Sequence, residues 1–173
     1  ENAGLRCRFA TIGRLRLTSL YNEYAAAEML RHPAAVDLFL VEVAGQRYSG
    51  TRHFRCRSVR PLGNTGFVAD LLLPQPALAA TLTGSVGAAG IRLGLKVTNR
   101  GPSPVAFKVA FPHLAGLALS RDPAADYYFF PWGGGIIADC AAHIRRGYGD
   151  HAAIYQVMDL FSPDRGAGLS IRA

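Results

Sequence analysis

The chain has 173 residues, 50% hydrophobic and 18% charged, so it can bury enough apolar surface to offset the entropy of folding, which excludes a disordered polypeptide. This length predicts a single domain, residues 1–173, because two smaller domains would each have a marginal core. The formal net charge is +7 at pH 7, but the basic residues are spread along the chain without a run, which argues against a nucleic-acid partner.

The predicted elements are strand-length segments in which apolar residues lie two apart and which glycine, proline or asparagine closes. They are, in chain order, DLFLVEV (37–43), FVADLLL (67–73), TLTGSV (81–86), IRLGLKVTN (91–99), VAFKVAF (105–111), AIYQVMDLF (153–161) and GLSIRA (168–173). Only EYAAAEMLRH (23–32) and PALAAT (76–81) can form a turn or two of helix. Strands without interleaved helices predict an all-β fold, an antiparallel β-sandwich.

The ends and the cysteines of the chain give three further expectations. LSIRA, the last five residues, reads as a strand without a closing turn, so we expect a domain truncated at its C-terminus, the N-terminal module of a longer protein. Three cysteines allow at most one disulfide within the chain, which leaves a cytoplasmic and a secreted or periplasmic location open. No run approaches the roughly 18 apolar residues of a membrane-spanning helix, so no membrane span is expected.

Arginines concentrate most between residues 52 and 60, around His53 and Phe54. If this segment is a strand, alternation predicts Arg55 and Arg57 on one face and Arg60 on the other, together with Arg52. The positive charge would then be divided between two faces, which again disfavours a nucleic-acid surface.

Motifs for catalysis and for metal or nucleotide binding are incomplete. No G-x-S-x-G nucleophile elbow occurs in the sequence. DCAAH (139–143) offers an acid, a thiol and an imidazole, but no second ligand pair follows, and we expect no metal. GYGDHA (147–152) imitates a dinucleotide fingerprint but does not follow a hydrophobic strand, so a hairpin turn is favoured and no cofactor is expected. Twelve acidic residues cannot be paired from the sequence, so catalytic residues stay unknown.

The segment YYFFPWGGG (127–135) places five aromatic side chains and a proline before three glycines. Alternation along a strand directs Tyr127 and Phe129 to one face and sends Tyr128, Phe130 and Trp132 to the other. Exposed aromatic rings stack on the C–H faces of sugars, so one set can form a carbohydrate platform beside the glycines. Burial of both sets, between two sheets or under a neighbouring domain, is the simpler interpretation.

Several segments, taken in order, resemble a known family. They are GRLRLTSLYNEYAAAEML (13–30), DLFLVEVAGQRYSG (37–50), IRLGLKVTNRGPSPVAFKVAFPHLAGLAL (91–119), YYFFPWGGG (127–135) and RRGYGDHAAIYQVMDLFSPDRGAGLSIRA (145–173). Their order resembles the N-terminal β-supersandwich, of galactose mutarotase-like fold, in multidomain glycoside hydrolases akin to endo-α-N-acetylgalactosaminidase. The more specific pieces are VTN at a strand end, FPHLAGL, FFP before glycines, and YQVMDLF before a GxGL strand.

The resemblance implies a non-catalytic module that packs on a (β/α)₈ catalytic domain of the same chain and contacts carbohydrate. Candidate residues for the carbohydrate-binding or domain-interface surface are Tyr128, Phe130, Trp132, Arg145, Arg146, Tyr148 and Asp150. One alternative is a stand-alone sugar epimerase or mutarotase, in which His113, His143 or His151 would act as acid and a carboxylate as base. Another alternative is a carbohydrate-binding module.

Overall fold

The computed structural model describes residues 4–88, 90–133, 135–139 and 157–172. This part of the chain contains β-strands and short 3₁₀ turns, no α-helix, and no helix of the length and apolarity that crossing a membrane requires. The pairing of Tyr21 and Asn22 with Ala27 and Glu28 is antiparallel, and so is every described strand pairing from residue 38 onward. The prediction of an all-β fold with antiparallel sheets is confirmed, and the fold is consistent with the β-sandwich class.

The strands are β1 (Leu5–Ala10), β2 (Arg16–Asn22), β3 (Ala27–Glu28), β4 (Leu38–Val43), β5 (Gln46–Ser49), β6 (Arg55–Leu62), β7 (Gly66–Leu73), β8 (Leu78–Gly87), β9 (Gly90–Asn99), β10 (Phe107–His113), β11 (Tyr127–Phe130), β12 (Ile136–Ala138), β13 (Val157–Ser162) and β14 (Ala167–Arg172). The 3₁₀ turns are Pro33–Ala35, Pro123–Ala125 and Pro163–Arg165. The segments EYAAAEMLRH and PALAAT contribute to β3 and β8, so the helical turns allowed for them are not formed.

The chain divides into two compact units. The first consists of Glu1–Leu20 and His32–Gly116, and the second of Tyr21–Arg31 and Leu117–Ala173. Two compact units can belong to one domain, so the single domain stays a prediction.

The first unit contains a four-stranded sheet in the order β6-β7-β8-β9, formed by successive hairpins. Alternation buries one face of its two central strands, where Leu71 lies opposite Ala80 and Ala69 opposite Leu82. The other face is polar at its centre, because the Asp70 carboxylate accepts hydrogen bonds from Ser58 Oγ and Thr81 Oγ1, each at 3.1 Å. The apolar alternation read from the sequence therefore corresponds to a half-buried sheet.

A β-bulge changes the alternation within β6. Cys56 lies opposite Leu71 and Ser58 opposite Asp70, so Arg57 is an extra residue between two successive pairs. The extra residue reverses the facing of all later positions in the strand. Arg60 consequently lies on the same face as Arg55, and the prediction that these two side chains take opposite faces is wrong.

A second sheet of the first unit has the order β10-β4-β5. The β4-β5 hairpin turns through Ala44 and Gly45, whose φ angles of 49° and 79° are both positive, as a two-residue type I′ turn requires. Behind β4 the Phe39 and Phe54 rings, both fully buried, meet edge to face with centroids 5.1 Å apart. Gly50 lies against the Phe39 ring so closely that a Cβ there would overlap it.

The second unit contains a four-stranded sheet in the order β12-β11-β13-β14 and the pairing of Tyr21 and Asn22 with β3. The buried side chain of Asn22 connects these parts of the unit. Its Nδ2 donates to Gly168 O in β14 at 3.0 Å, and its Oδ1 accepts from Ala25 N at 2.9 Å. Both ends of the amide are thus used, which makes Asn22 a structural anchor.

Leu82→Ala should lower the free energy of unfolding by about 2–5 kcal/mol, because it removes a fully buried side chain from the centre of the four-stranded sheet of the first unit. Leu62→Ala in β6 of the same sheet is the matched control, since Leu62 is 48% exposed, and it should cost less than about 1 kcal/mol. Urea denaturation measures both values. Equal losses for the two variants would contradict the assignment of the buried face.

Candidate functional site

The aromatic segment forms β11, and its two sets of side chains take opposite faces of the sheet. Tyr128 lies opposite Leu160, which lies opposite Leu169, and both leucines are buried, at 5% and 8% exposed. Tyr127 lies opposite Phe161 on the other face, where Phe161 is 47% exposed. The predicted alternation of the four aromatic residues of β11 is confirmed, and Tyr127 and Phe161 are both exposed on their face of the sheet.

We call the exposed side of this sheet the aromatic face and define it by Tyr127, Phe129, Ile137, Asp159, Phe161 and Ser170. The register brings these side chains together from four strands, with Phe129 opposite both Ile137 and Asp159, and Asp159 opposite Ser170. They line a shallow groove of about 780 Å³. Tyr127 is 41% exposed and Ile137 is 70% exposed, so much of the apolar surface is open to a ligand or to another protein surface.

Two glycines shape the groove through close backbone approach. A Cβ on Gly168 would lie 3.0 Å from Leu160 O and 3.5 Å from Phe161 Cδ2, so this position leaves space beside the Phe161 ring. A Cβ on Gly135 would lie 2.6 Å from Phe129 Cε2, and the φ angle of Gly135 is 110°. Gly135 therefore serves the packing of the Phe129 ring.

Among the candidate residues predicted from the sequence, Tyr128 and Phe130 lie on the face opposite the aromatic face, and both are half-buried. Trp132 follows β11, is half-buried, and donates its backbone N–H to Phe130 O at 2.9 Å. The remaining four, Arg145, Arg146, Tyr148 and Asp150, lie outside the described residues.

Sequence reasoning did not single out Ile137, Asp159, Phe161 and Ser170 for the site. These residues belong to three other strands, and only the pairing register brings them beside Tyr127 and Phe129. The sequence does contain one relevant pattern, the alternation in VMDLFS. It sets Asp159 and Phe161 on one face of the strand and Met158 and Leu160 on the other. That pattern identifies a strand with a mixed outer face but does not identify its neighbours.

A buried carboxylate supports the start of β11. Asp126 is fully buried, and its side chain accepts from Leu119 N at 2.7 Å and from Ser120 N at 3.0 and 3.2 Å. Ser120 in turn pairs its hydroxyl with that of Ser162, at the end of β13, at 2.7 Å. This chain of hydrogen bonds holds the residues next to Tyr127 and Phe161 in fixed positions.

On the inner side of the same sheet, Tyr128 carries a phenol with a shifted pKa. Burial raises the pKa of Tyr128, the negative charge of Asp126 raises it further, and the Arg31 guanidinium partly opposes both effects. The phenol therefore stays neutral at pH 7 and can donate a hydrogen bond. Arg31 Nε is buried without a hydrogen-bond partner in the described part of the chain.

Two observations on the described residues concern metal binding and thiol chemistry. They hold no group of three or more His, Cys, Asp and Glu side chains placed to bind a metal ion. Burial raises the pKa of the Cys56 thiol and the Asp70 charge adds to the effect, against a smaller opposing contribution from a hydrogen bond with the Ser58 backbone. Because the thiolate is the nucleophile, a raised pKa lowers the fraction of Cys56 that can react at pH 7.

Of the three histidines proposed for an epimerase or mutarotase, His113 lies within the described residues. His113 lies at the end of β10, and its Nδ1 is buried without a hydrogen-bond partner in the described part of the chain. His143 and His151 lie outside that part. No described carboxylate is therefore hydrogen-bonded to His113 Nδ1, as an acid–base pair through this atom would require.

Asp126→Ala should lower the free energy of unfolding by about 3 kcal/mol, because two buried backbone N–H groups lose their acceptor. Asp164→Ala, which removes an exposed carboxylate from the Pro163–Arg165 turn, should change it by less than about 0.5 kcal/mol. Urea denaturation measures both values. A loss below about 1 kcal/mol for Asp126→Ala would show that the carboxylate does not anchor the Leu119–Ser120 backbone.

Comparison with protein-family models, with curated protein sequences and with solved structures finds no match to this chain. The resemblance to the N-terminal supersandwich of glycoside hydrolases therefore stays a prediction.

Proposed function

We propose that this chain is a non-catalytic β-sandwich module of a carbohydrate-active enzyme, and that its aromatic face contacts carbohydrate. The observation that carries the proposal is the open row of aromatic rings on the second unit, with Tyr127 41% exposed and Phe161 47% exposed on neighbouring strands. Two exposed rings side by side leave apolar surface in contact with water, which is unfavourable. A ligand with apolar faces of its own can bury that surface.

The chemistry of the aromatic face fits a sugar better than a wholly apolar ligand. Aromatic rings pack against the C–H groups of a pyranose, while the hydroxyl groups at the edge of the pyranose ring need hydrogen-bond partners. Asp159 and Ser170, on adjacent strands of the same face, supply a carboxylate acceptor and a hydroxyl that both donates and accepts. This combination of stacking and polar contacts is what orients a saccharide.

The charge of the groove limits the kind of saccharide. Its lining within the described part of the chain contains one carboxylate, Asp159, and no arginine or lysine. A sugar acid or sulfated sugar would place like charges close together in this groove. The ligand class that fits is therefore a neutral sugar, or an amino sugar that carries a positive charge.

Hydrogen bonds and packing contacts also position the rings of the aromatic face. Its rings stand on paired strands, the Asp126 and Ser162 hydrogen bonds fix the ends of β11 and β13, and Gly135 packs on Phe129. A preorganised surface loses little conformational entropy on binding, which favours recognition of a weakly binding ligand.

A second function for the same surface is packing against the catalytic domain that the resemblance implies. Ile137 favours it, because this side chain is aliphatic and 70% exposed, and an aliphatic side chain does not stack on a sugar as an aromatic ring does. The two functions predict different critical residues, Phe161 and Tyr127 for carbohydrate and Ile137 for the domain interface.

Isothermal titration calorimetry of the chain with neutral mono- and oligosaccharides and with galactosamine tests the proposal. Phe161→Ala should weaken saccharide binding about five- to tenfold, because the variant loses a stacking ring. Met158→Ala is the matched control, since Met158 is 38% exposed in the same strand but faces the other way, and it should leave affinity unchanged.

Thermal unfolding of both variants shows whether the fold is intact, since Phe161 is half-exposed and its loss should have little effect on stability. No binding of any saccharide, or equal weakening by Phe161→Ala and Met158→Ala, would contradict carbohydrate contact at the aromatic face. If saccharides fail to bind and Ile137→Asp disrupts association with the rest of the parent enzyme, the surface is a domain interface instead.

A further inference from the structure

A second groove lies in the first unit, where the connection between β1 and β2 meets the start of β6. Its volume is about 500 Å³, and its lining residues are Ala10, Ile12, Gly13, Arg14, Arg16 and Arg55. Cys56 N donates to Gly13 O at 3.1 Å, which fastens β6 to this connection. Gly13 has a φ of 69°, a conformation that favours glycine, so the chain path beside Arg14 is specified locally.

The three arginines of this groove have no carboxylate partner among the described residues. The described carboxylates of the first unit are engaged elsewhere. Asp37 lies 3.7 Å from Arg52 Nε and accepts from Ser49 Oγ, and Glu42 lies 3.4 Å from Arg47 Nε.

The third described carboxylate of the unit, Asp70, accepts from two hydroxyl groups on the polar face of its sheet. No described acid of the first unit is thus left to neutralise the groove. The guanidinium groups of Arg14, Arg16 and Arg55 all belong to exposed residues, so they are open to an external anion.

The groove also lies in the unit that carries the positive charge of the chain. The first unit contains thirteen arginines and lysines against four acids, whereas the second contains six against eight. This difference in charge is not apparent along the sequence, because each unit combines two separate segments of the chain. A strongly positive unit raises the local concentration of small anions at an arginine-lined groove.

We infer that Arg14, Arg16 and Arg55 form a binding site for an oxyanion, a phosphate or sulfate that is free or carried by a small organic ester. A guanidinium presents planar N–H donors that match the oxygens of such a group in bidentate pairs. Ile12, which is 98% exposed and lines the same groove, offers an apolar contact to the carbon part of an ester. The site lies in the first unit and does not rest on the carbohydrate function proposed for the second.

Calorimetric titration of the whole chain at constant ionic strength tests the site, with inorganic phosphate, inorganic sulfate and galactose 6-sulfate as probes and galactose as the uncharged control. At least one anion should bind with a stoichiometry of one, and galactose should not compete with it. Arg14→Gln, Arg16→Gln and Arg55→Gln should each weaken that binding about tenfold, since each removes one charge-assisted pair.

Arg60→Gln is the matched control for Arg55→Gln, because Arg60 is an exposed arginine of the same strand that does not line the groove. It removes the same unit of charge and should change the affinity less than about twofold. Thermal unfolding of each variant, all of them at exposed positions, verifies the fold. Tighter binding of galactose 6-sulfate than of sulfate identifies the ester as ligand, and equal binding identifies the free anion.

Three results would overturn the inference. The first is the lack of saturable binding for all three anions. The second is equal weakening by Arg55→Gln and Arg60→Gln, which would show general charge attraction. The third is binding that occurs only with a polyanion such as RNA and falls steeply with salt, because a diffuse basic surface would then be responsible.

Discussion

Side chains of a β-strand alternate between its faces, and the pairing register decides which side chains of neighbouring strands become neighbours. In the first unit this constraint sets Leu71 against Ala80 and Ala69 against Leu82, giving the buried face of a four-stranded sheet. In the second unit it sets Tyr127 beside Phe161 on the face that solvent reaches. A shift of one residue in either sheet would exchange the buried and exposed sets, so core and candidate site are specified by the same pairing.

Buried polar groups add a second level of specification to this alternation. Asn22 and the Ser120–Ser162 hydroxyl pair connect segments that are distant in sequence, and Asp126 holds the nearby Leu119–Ser120 backbone at the start of β11. Such groups are costly to bury without partners, so alternative arrangements of the second unit that leave them unpaired are disfavoured. Apolar contacts alone would tolerate small displacements of β11 against β13, whereas these bonds fix the strands and the rings they carry.

Much of the strand content could be predicted from the sequence, because strands that pack on one face show an alternation of apolar and polar residues. FVADLLL corresponds to β7, which ends at Leu73 before Pro74, and IRLGLKVTN corresponds to β9. The arginine-rich strand β6 was recognised only as a conditional possibility, since it is almost wholly exposed and needs no apolar alternation. The bulge at Arg57 has no signature in composition, and it reverses the facing of Arg60.

The candidate sites were harder to predict than the strands for the same physical reason. Alternation correctly separated Tyr127 and Phe129 from Tyr128 and Phe130, but it could not tell which set faces solvent, because that depends on what covers each face. Likewise, Arg14 and Arg55 are 41 positions apart in the sequence, and they line one groove because the Cys56–Gly13 hydrogen bond joins their segments. The alternation of residues within a segment predicts its local geometry, whereas both candidate sites depend on contacts between segments that are far apart in sequence.

The bulged, arginine-bearing strand β6 also has a consequence for how copies of this chain behave together. It is the first strand in the order of its sheet, so one side of its backbone lacks a partner strand within that sheet, and such an edge is a template on which another chain can add a strand. Arg57 at the bulge, Arg60 and Pro61 interrupt that template by bending it, by electrostatic repulsion between identical copies and by the absence of an N–H donor. These features oppose the addition of a strand from another copy at this edge of the sheet, even where many copies are crowded on one surface.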